Sequence, residues 1–284
     1  MEYLIHLAIL FSIYAILGVS LNLVVGYTGL LSVTHAAFYG IGAYATAILS
    51  TTYHWNFFVT MFVGIALAGI IALLIGLVLS RFDADYYALA SLGFNIIVYS
   101  IFLNWQSVTR GPLGIPGIER PDFVGANWQF LVLAALFLAL VYYLAQHLGF
   151  SSFGRVLKAI REDEKAIQVF GYETHYYKLV IFVIGAMMAA VAGSLFAVYI
   201  TFIDPSTFTL NESIFILAII ILGGLANNKG AVLGALFLIL LPEILRFVGF
   251  PTDIAAQMRQ VVYGMLLVLL MLYRPQGLMG EYEL

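Results

Sequence analysis

Residues 55–79 of the chain read WNFFVTMFVGIALAGIIALLIGLVL and contain no Asp, Glu, Lys or Arg. An α-helix rises about 1.5 Å per residue and the hydrocarbon core of a bilayer is about 30 Å thick, so about 20 apolar residues cross it. The stretch therefore predicts a transmembrane helix. Charge is also absent between Glu2 and Arg81, which indicates that a membrane surrounds much of the chain.

The composition of the whole chain agrees with this interpretation. Hydrophobic residues make up 63% and charged residues 10% of the 284 residues, and the mean hydropathy is +1.03. In ordinary soluble domains about 45–50% of the residues are hydrophobic and about 25% are charged. We predict an all-α fold, a polytopic transmembrane helical bundle that forms a single domain over residues 1–284. The net charge of −3 and the lack of long basic runs argue against a nucleic-acid partner.

Nine apolar runs are candidate membrane spans. Since several contain Gly or Asn near their ends, we expect eight to ten crossings, some of them broken. The run from Tyr3 lacks a basic segment before it and a small-residue cleavage site after it, so it is predicted to be a span and not a signal peptide. The predicted spans are 3–25, 29–50, 55–79, 86–105, 129–148, 178–203, 212–225, 230–248 and 258–273.

The distribution of Lys and Arg predicts the orientation. If the loop 149–177 is cytoplasmic, alternation of the nine spans places eight Lys and Arg residues inside and four outside. Cytoplasmic segments carry the excess of basic residues in membrane proteins. We therefore expect the N-terminus outside and the C-terminus inside, with the loop 106–129 extracytoplasmic.

Charge is concentrated between Arg155 and Lys178, which hold nine of the chain's 27 charged residues. From Ser151 the sequence reads SSFGRVLKAIREDEKAIQVFG, in which apolar residues recur at helical spacing between charged ones. This predicts a short amphipathic helix with Ser151 or Ser152 as N-cap and Gly171 as terminator. Such a helix lies at the lipid headgroups, links two spans, or docks on a cytoplasmic partner through its apolar stripe.

Two spans carry small residues at every fourth position, which places each set on one helix face. Such faces allow close helix packing, either within one subunit or between subunits. The two ladders are Gly64, Ala68, Ala72 and Gly76, and Gly185, Ala189, Gly193 and Ala197.

Two glycine-rich stretches, 26–42 and 223–234, occupy comparable places in the two halves of the chain. Paired breaks of this kind point to a transport pathway between repeated halves, because freed backbone groups must face protein or water. Each polar residue here also has a structural alternative to a pathway role. His35 could be a neutral imidazole whose nitrogens bond neighbouring carbonyls, and Asn95 could form an interhelical hydrogen bond. Glu243 could form an ion pair with Arg246. The predicted pathway residues are Ser32, Thr34, His35, Gly40, Gly42, Asn95, Gly223, Gly224 and Glu243.

The sequence offers little chemistry of its own. It contains no G-x-x-x-x-G-K-[ST] loop for nucleotide hydrolysis, and without cysteine it has no thiolate metal ligand. The five histidines are scattered without metal-ligand spacing, so no metal site and no catalytic residue is expected. An ion-driven carrier would carry several carboxylates at mid-membrane, where this chain shows Glu243 nearly alone. We expect a protein that is not an enzyme.

The motifs resemble a known family. Glu164-Lys165-Ala166-Ile167 followed by Gly171 resembles the E-A-A…G loop through which ABC-importer permeases contact their ATPases, with Ile167 in place of the second Ala. The wider chain is similar to the branched-chain amino-acid permeases, although Thr34 and Ala231 stand where that family usually has Gly and Pro. The matching segments include His35-Ala36-Ala37-Phe38, Gly40-Ile41-Gly42-Ala43-Tyr44, Gly114-Ile115-Pro116, Tyr177-Lys178-Leu179, Gly223-Gly224-Leu225, Gly234-Ala235 and Arg274-Pro275-Gln276-Gly277-Leu278.

The resemblance implies a permease subunit of the bacterial or archaeal inner membrane that carries branched-chain or other hydrophobic amino acids by alternating access. Urea, short amides or another small solute remain alternative cargoes, and an ATPase-independent carrier is an alternative mechanism. The implied partners are two cytoplasmic ATP-binding subunits that hold ATP and Mg, a second permease subunit and an extracytoplasmic binding protein, while this chain binds no cofactor. The implied coupling residues are Phe153, Arg155, Val156, Leu157, Ile160, Arg161, Glu162, Glu164, Ala166 and Gly171.

Overall fold

A computed structural model describes residues 2–82, 84–121, 124–247, 261, 264–265, 268–269 and 276–280. Nearly all regular structure in these residues is helical, and one two-stranded antiparallel ladder pairs Ile115 with Ile203. The helices are α1 (Glu2–Leu21), α2 (His35–Tyr53), α3 (Phe57–Leu79), α4 (Ala84–Asn104), α5 (Gln106–Thr109), α6 (Asn127–Phe150), α7 (Ser152–Glu162), α8 (Glu164–Val169), α9 (Thr174–Ile200), α10 (Leu210–Gly223) and α11 (Asn228–Phe247). A π-helical turn (Asn22–Gly26), two 3-10 turns (Gly111–Leu113 and Pro205–Phe208) and strands β1 (Ile115–Pro116) and β2 (Phe202–Ile203) complete the described elements.

The predicted helical bundle is confirmed. Each of the first eight predicted spans overlaps one helix, and most of the ninth, 258–273, lies outside the described residues. Within the described part, five helices are long and apolar enough to cross a membrane, and α10 with α11 forms a sixth candidate that bends by 119°. The bend falls at the glycine-rich stretch that the sequence marks as a break.

Contacts between helix ends define two opposite faces of the bundle. On the face that carries the charge concentration, here called the island face, His175 Nδ1 lies 2.6 Å from the Ser80 carbonyl oxygen, and Arg161 donates to the carbonyl of Gly26. On the opposite face, here called the loop face, Asn127 Nδ2 donates to Glu2 Oε2 at 2.9 Å. The loop 106–126 lies there, because β1 within it pairs with β2 at the far end of α9.

Helix α2 begins later than predicted, at His35 and not at residue 29. Residues 29–34 are irregular, and buried side chains satisfy their backbone: Val33 N donates to Ser91 Oγ at 3.2 Å, and Asn95 Nδ2 donates to Val33 O at 2.9 Å. Irregular backbone at membrane depth is tolerated only where protein or water satisfies it. The predicted span 29–50 is therefore an irregular segment followed by a shorter helix.

The small-residue ladders pack inside the chain. Ala68 and Ala72 of α3 are fully buried, and a Cβ on Gly193 of α9 would overlap the Tyr39 carbonyl oxygen of α2. A Cβ on Gly42 of α2 would likewise overlap the backbone of α9. Close backbone approach between α2, α3 and α9 thus explains the ladders, and packing within one subunit is the alternative that the structure supports.

Candidate functional site

The charged segment between α6 and α9 folds as two short helices, not as the single helix predicted. Ser151 caps α7, as predicted, by accepting from Gly154 N at 3.2 Å. Asp163 interrupts the helix with extended backbone and caps α8 by accepting from Ala166 N at 3.0 Å. Asp favours this capping geometry, which explains the break. Gly171 follows α8 with a left-handed φ of +87°.

The apolar stripe of α7 faces its own chain. Leu157 and Ile160 are 1% and 3% exposed, and the Phe153 ring stacks on Tyr177 with 5.2 Å between centroids. Val156 is half-buried. The family resemblance implies that this stripe contacts an ATPase, and in the structure Leu157, Ile160 and Phe153 already pack within their own chain.

A buried ion pair fastens α8 to α9. Lys178 Nζ lies 2.5 Å from Glu164 Oε2, and the two side chains are 4% and 29% exposed. The other Glu164 oxygen accepts from Thr174 Oγ1 at 2.9 Å, and Gln168 Nε2 donates to the same hydroxyl at 2.9 Å. A displacement of α8 would therefore move the start of α9 with it.

A second set of contacts fastens α7 to the end of the first membrane helix. Arg161 donates to the carbonyl of Gly26, in the π-helical turn, and Lys158 Nζ lies 5.4 Å from the centre of the Tyr27 ring. Glu162 and Arg155 are exposed, and Arg155 NH2 donates to Ser152 Oγ at 2.9 Å. The segment thus contacts both halves of the bundle.

The most exposed apolar residues of the segment were missed in the sequence analysis. Val169, the last residue of α8, and Phe170, which precedes Gly171, are 88% and 77% exposed. Apolar spacing alone does not show which apolar residues stay exposed. These two residues, here called the apolar tip, form a protruding surface on the island face.

Four predicted pathway residues meet at the start of α2. Ser32 Oγ and Thr34 Oγ1 are 3.0 Å apart, His35 Nε2 lies 3.2 Å from Ser20 Oγ, and Asn95 Nδ2 donates to Ser213 Oγ at 2.8 Å. All are buried, and within the described residues His35 Nδ1 and Asn95 Oδ1 have no hydrogen-bond partner. His35 is bonded to a hydroxyl and not to the expected carbonyls.

Ser213 was not predicted, although it joins the first turns of two helices. Its hydroxyl accepts from Ala36 N at 3.0 Å, and it lies in the first turn of α10. Asn95, its other partner, is near the middle of α4, so both helices begin at mid-depth in the bundle. No motif marks an isolated Ser at the start of an apolar run.

The remaining predicted pathway residues lie elsewhere. Gly40 packs against the Phe102 ring, and Gly42 against the backbone of α9, so both are close-packing positions. Gly223 and Gly224 lie at the island-face bend, against Gly230 and Gly280. Glu243 is half-buried and lines a separate cavity of about 270 Å³ beside His6. The side chain of its predicted partner, Arg246, lies outside the described residues.

The two glycine breaks contact each other through Asn22. Its Oδ1 accepts from Ala226 N at 3.0 Å, and its Nδ2 donates to Asn228 Oδ1 at 3.1 Å. Asn228 Nδ2 in turn donates to Gln146 Oε1 at 3.1 Å. Asn22 thus makes hydrogen bonds that connect the end of the first membrane helix to the bend before α11.

Replacing Asn22 with Leu should lower the free energy of unfolding by about 2 kcal/mol, because the buried Ala226 N–H and Asn228 Oδ1 would lose their partner. Thermal unfolding of the purified protein in detergent measures the effect. The matched control is Asn104→Leu, since Asn104 is exposed and donates to a carbonyl of its own helix. Equal losses in the two variants would contradict the role given to the Asn22 network.

Comparison with known proteins agrees with this architecture. The family described as "branched-chain amino acid transport system / permease component" matches residues 3–271. The permease protein LivM of Escherichia coli K12, named for a high-affinity branched-chain amino acid transport system, is 34% identical over 97% of this chain and 69% of its own length. No solved structure matches the chain significantly.

Relatives of two kinds align with the chain. A probable LivM of Methanocaldococcus jannaschii is 28% identical over 95% of this chain and 91% of its own length. LivH of Escherichia coli K12, another high-affinity branched-chain amino acid transport system permease protein, is 28% identical over 96% of this chain and 92% of its own length. With nearly its whole length matched, the chain belongs to the family of permease components of branched-chain amino acid transport systems.

Proposed function

We propose that the chain is a membrane-spanning permease subunit of an ABC importer that carries branched-chain or other hydrophobic amino acids by alternating access. Family membership supports the transport role, and the names of the relatives support the cargo. The observation that carries the mechanism is the double attachment of α7 and α8, through Lys178 to α9 and through Arg161 to the turn after α1. A push on these helices reaches both halves of the bundle.

In this proposal the island face is cytoplasmic and the loop face extracytoplasmic, in the inner membrane of a bacterium or archaeon. The excess of Lys and Arg on the island side supports this orientation. Two cytoplasmic subunits bind ATP and Mg and contact the segment 149–177, whereas an extracytoplasmic binding protein delivers the substrate to the loop 106–129. The chain itself performs no catalysis and binds no cofactor.

A second, related permease subunit completes the pathway in this proposal. Both LivM and LivH of Escherichia coli align with the chain over most of its length, which supports a pair of distinct but homologous permeases. The buried ladders of α3 and α9 are already occupied within the chain, so the second permease would contact other helix faces.

The apolar tip is the contact proposed for the ATPase. Replacing Phe170 with Asp should abolish co-purification of the ATP-binding subunits and leave the thermal unfolding of the permease unchanged, because a 77% exposed side chain contributes little to the fold. Leu157→Asp would not separate these effects, since Leu157 is buried.

Leu113→Asp is the matched control for this pull-down. Leu113 is 83% exposed and is the last residue of the 3-10 turn Gly111–Leu113, on the loop face. It should retain the ATPases. Full retention by the Phe170 variant would exclude the apolar tip as the docking site.

Transport itself is tested with the complete importer in liposomes. Uptake of L-leucine that requires ATP and the binding protein supports the proposal. Leucine flux through the permease without ATPase subunits would identify a secondary carrier, and uptake of urea without leucine would correct the cargo.

A further inference from the structure

A cavity of about 140 Å³ opens on the loop face, at the ends of α2, α3 and α9. It lies outside the cluster at the start of α2 and was not predicted from the sequence. Thr46 and Ser50 of α2 and His54, the residue after that helix, recur at every fourth position and form a polar wall. Phe57 of α3 and Val198 of α9 are also among the lining residues. The lining is therefore partly polar and partly apolar.

The polar wall contains a hydroxyl without a partner. Thr46 is fully buried, and among the described residues its Oγ1 has no hydrogen-bond partner. The neighbouring hydroxyls are satisfied, since Ser50 donates to Ala47 O at 3.2 Å and Thr60 donates to Phe57 O at 2.8 Å. Burial of an unpaired hydroxyl is costly, and Thr46 is one of the residues that line the cavity. The cavity thus supplies room for a group that completes this hydrogen bond.

The rim carries both signs of charge. Glu119 Oε1 lies 3.6 Å from His54 Nδ1, and the two side chains are 68% and 70% exposed. Arg120 is oriented by donating from NH1 to Asn127 Oδ1 at 3.0 Å and from NH2 to Tyr199 O at 3.1 Å. A ligand entering from the loop face would meet an anionic and a cationic group before it reached Thr46.

The size of the cavity limits the ligand. A protein cavity of about 150 Å³ holds benzene, which has six heavy atoms. A cavity of 140 Å³ therefore encloses about six heavy atoms, and because it is open at its rim the remaining atoms of a small amino acid extend towards the loop face. An aliphatic side chain would lie against Phe57 and Val198. A sugar or nucleotide is too large for this space.

We propose that this cavity is an entry subsite for a free amino-acid zwitterion. Glu119 faces the ammonium group, and Arg120 and the Thr46 hydroxyl both face the carboxylate oxygens. The proposal rests on the proposed function, because it places the transported amino acid here. A phosphatidylethanolamine headgroup shares the ammonium and anionic groups, so the experiment must distinguish the two sources.

Thr46→Val is the decisive variant, because valine has the shape of threonine without its hydroxyl. The test uses the complete importer in phosphatidylcholine nanodiscs without binding protein, and L-leucine is titrated by saturation-transfer difference NMR. The variant should bind leucine about three- to tenfold more weakly, the effect of one hydrogen bond. Its thermal unfolding temperature should not fall, because the lost hydroxyl has no hydrogen-bond partner among the described residues.

Thr51→Val is the matched control, since Thr51 lies in the same helix but donates to Ala47 O at 2.8 Å and does not line the cavity. It should bind leucine as the wild type does. Equal leucine affinity in the Thr46 variant and the wild type, or no saturable wild-type signal, would overturn the subsite. Loss of leucine binding in nanodiscs that contain phosphatidylethanolamine would also overturn it, by identifying the lipid as the occupant.

The outcome for the subsite is separable from the outcome for the proposed function. ATP-driven leucine uptake by the wild-type importer in liposomes reports the transport role alone. If uptake occurs and the Thr46 variant binds leucine normally, the transport role stands and the subsite fails. If no uptake occurs with any amino acid, the proposed function fails whatever binds in the cavity.

Discussion

Replacing Glu164 with Gln should lower the free energy of unfolding by about 3 kcal/mol and abolish ATP-driven uptake. The substitution leaves the Lys178 ammonium, whose side chain is 4% exposed, without its counter-charge. Removing one partner of a buried ion pair costs about 3–5 kcal/mol, and we expect the lower end because Glu164 is partly accessible. Thermal or detergent-induced unfolding measures the stability, and liposome uptake measures the coupling.

Two further variants separate the ion pair from charge in general. Glu173→Gln removes an exposed carboxylate near the start of α9 and should cost less than about 1 kcal/mol. The double variant Glu164→Gln with Lys178→Met should recover most of the lost stability, because neither charge remains buried. If the double variant is as unstable as Glu164→Gln, the unpaired ammonium is not the cause.

Replacing Gly193 with Ala should lower the free energy of unfolding by about 3 kcal/mol, the upper end of the range for overpacking. The added Cβ would overlap the carbonyl oxygen of Tyr39, which belongs to the backbone of α2 and cannot rotate away. Helices α2 and α9 would have to separate. Unfolding in detergent measures the loss.

Gly93→Ala is the matched control, and it should have the opposite sign. Gly93 lies inside α4, and a Cβ there would meet no atom within 4 Å. Alanine is the better helix former by about 1 kcal/mol, so this variant should be neutral or stabilised. A similar loss in both glycine variants would show that close packing of α2 and α9 is not what Gly193 provides.

The sequence predicted which segments of the chain are helical, but it did not predict how deep in the bundle α2 begins. Apolar runs long enough to cross the membrane locate α3 and α9 because length and hydropathy are local properties. The late start of α2 depends on Ser91 and Asn95, which lie about 60 residues further along the chain and bond residue 33. Such long-range partners leave no trace in the hydropathy of residues 29–34.

The contacts of the charged segment between α6 and α9 were likewise not predictable from local sequence. The sequence predicted its N-cap at Ser151 and its apolar stripe, yet it assigned Leu157 and Ile160 to a partner. Helical spacing of apolar residues predicts that one face of the helix will be buried, but it does not show which surface buries that face. Here the face is buried by other helices of the same chain. The cavity at Thr46 was missed because its polar wall comes from α2 and its rim from a loop some 70 residues away.

The pairing of residues 278 and 279 with the bend after α10 has a consequence for biogenesis. Leu278 N and Met279 N donate to the carbonyls of Leu222 and Gly223, each at 2.9 Å, and Asn227, at the same bend, bonds Met279 across 52 residues. Until the ribosome has added those residues, two carbonyl groups at the bend lack their final partners. A nascent chain that has inserted α10 and α11 therefore gains the mature hydrogen bonds of their connection only after residues 278 and 279 have been synthesised.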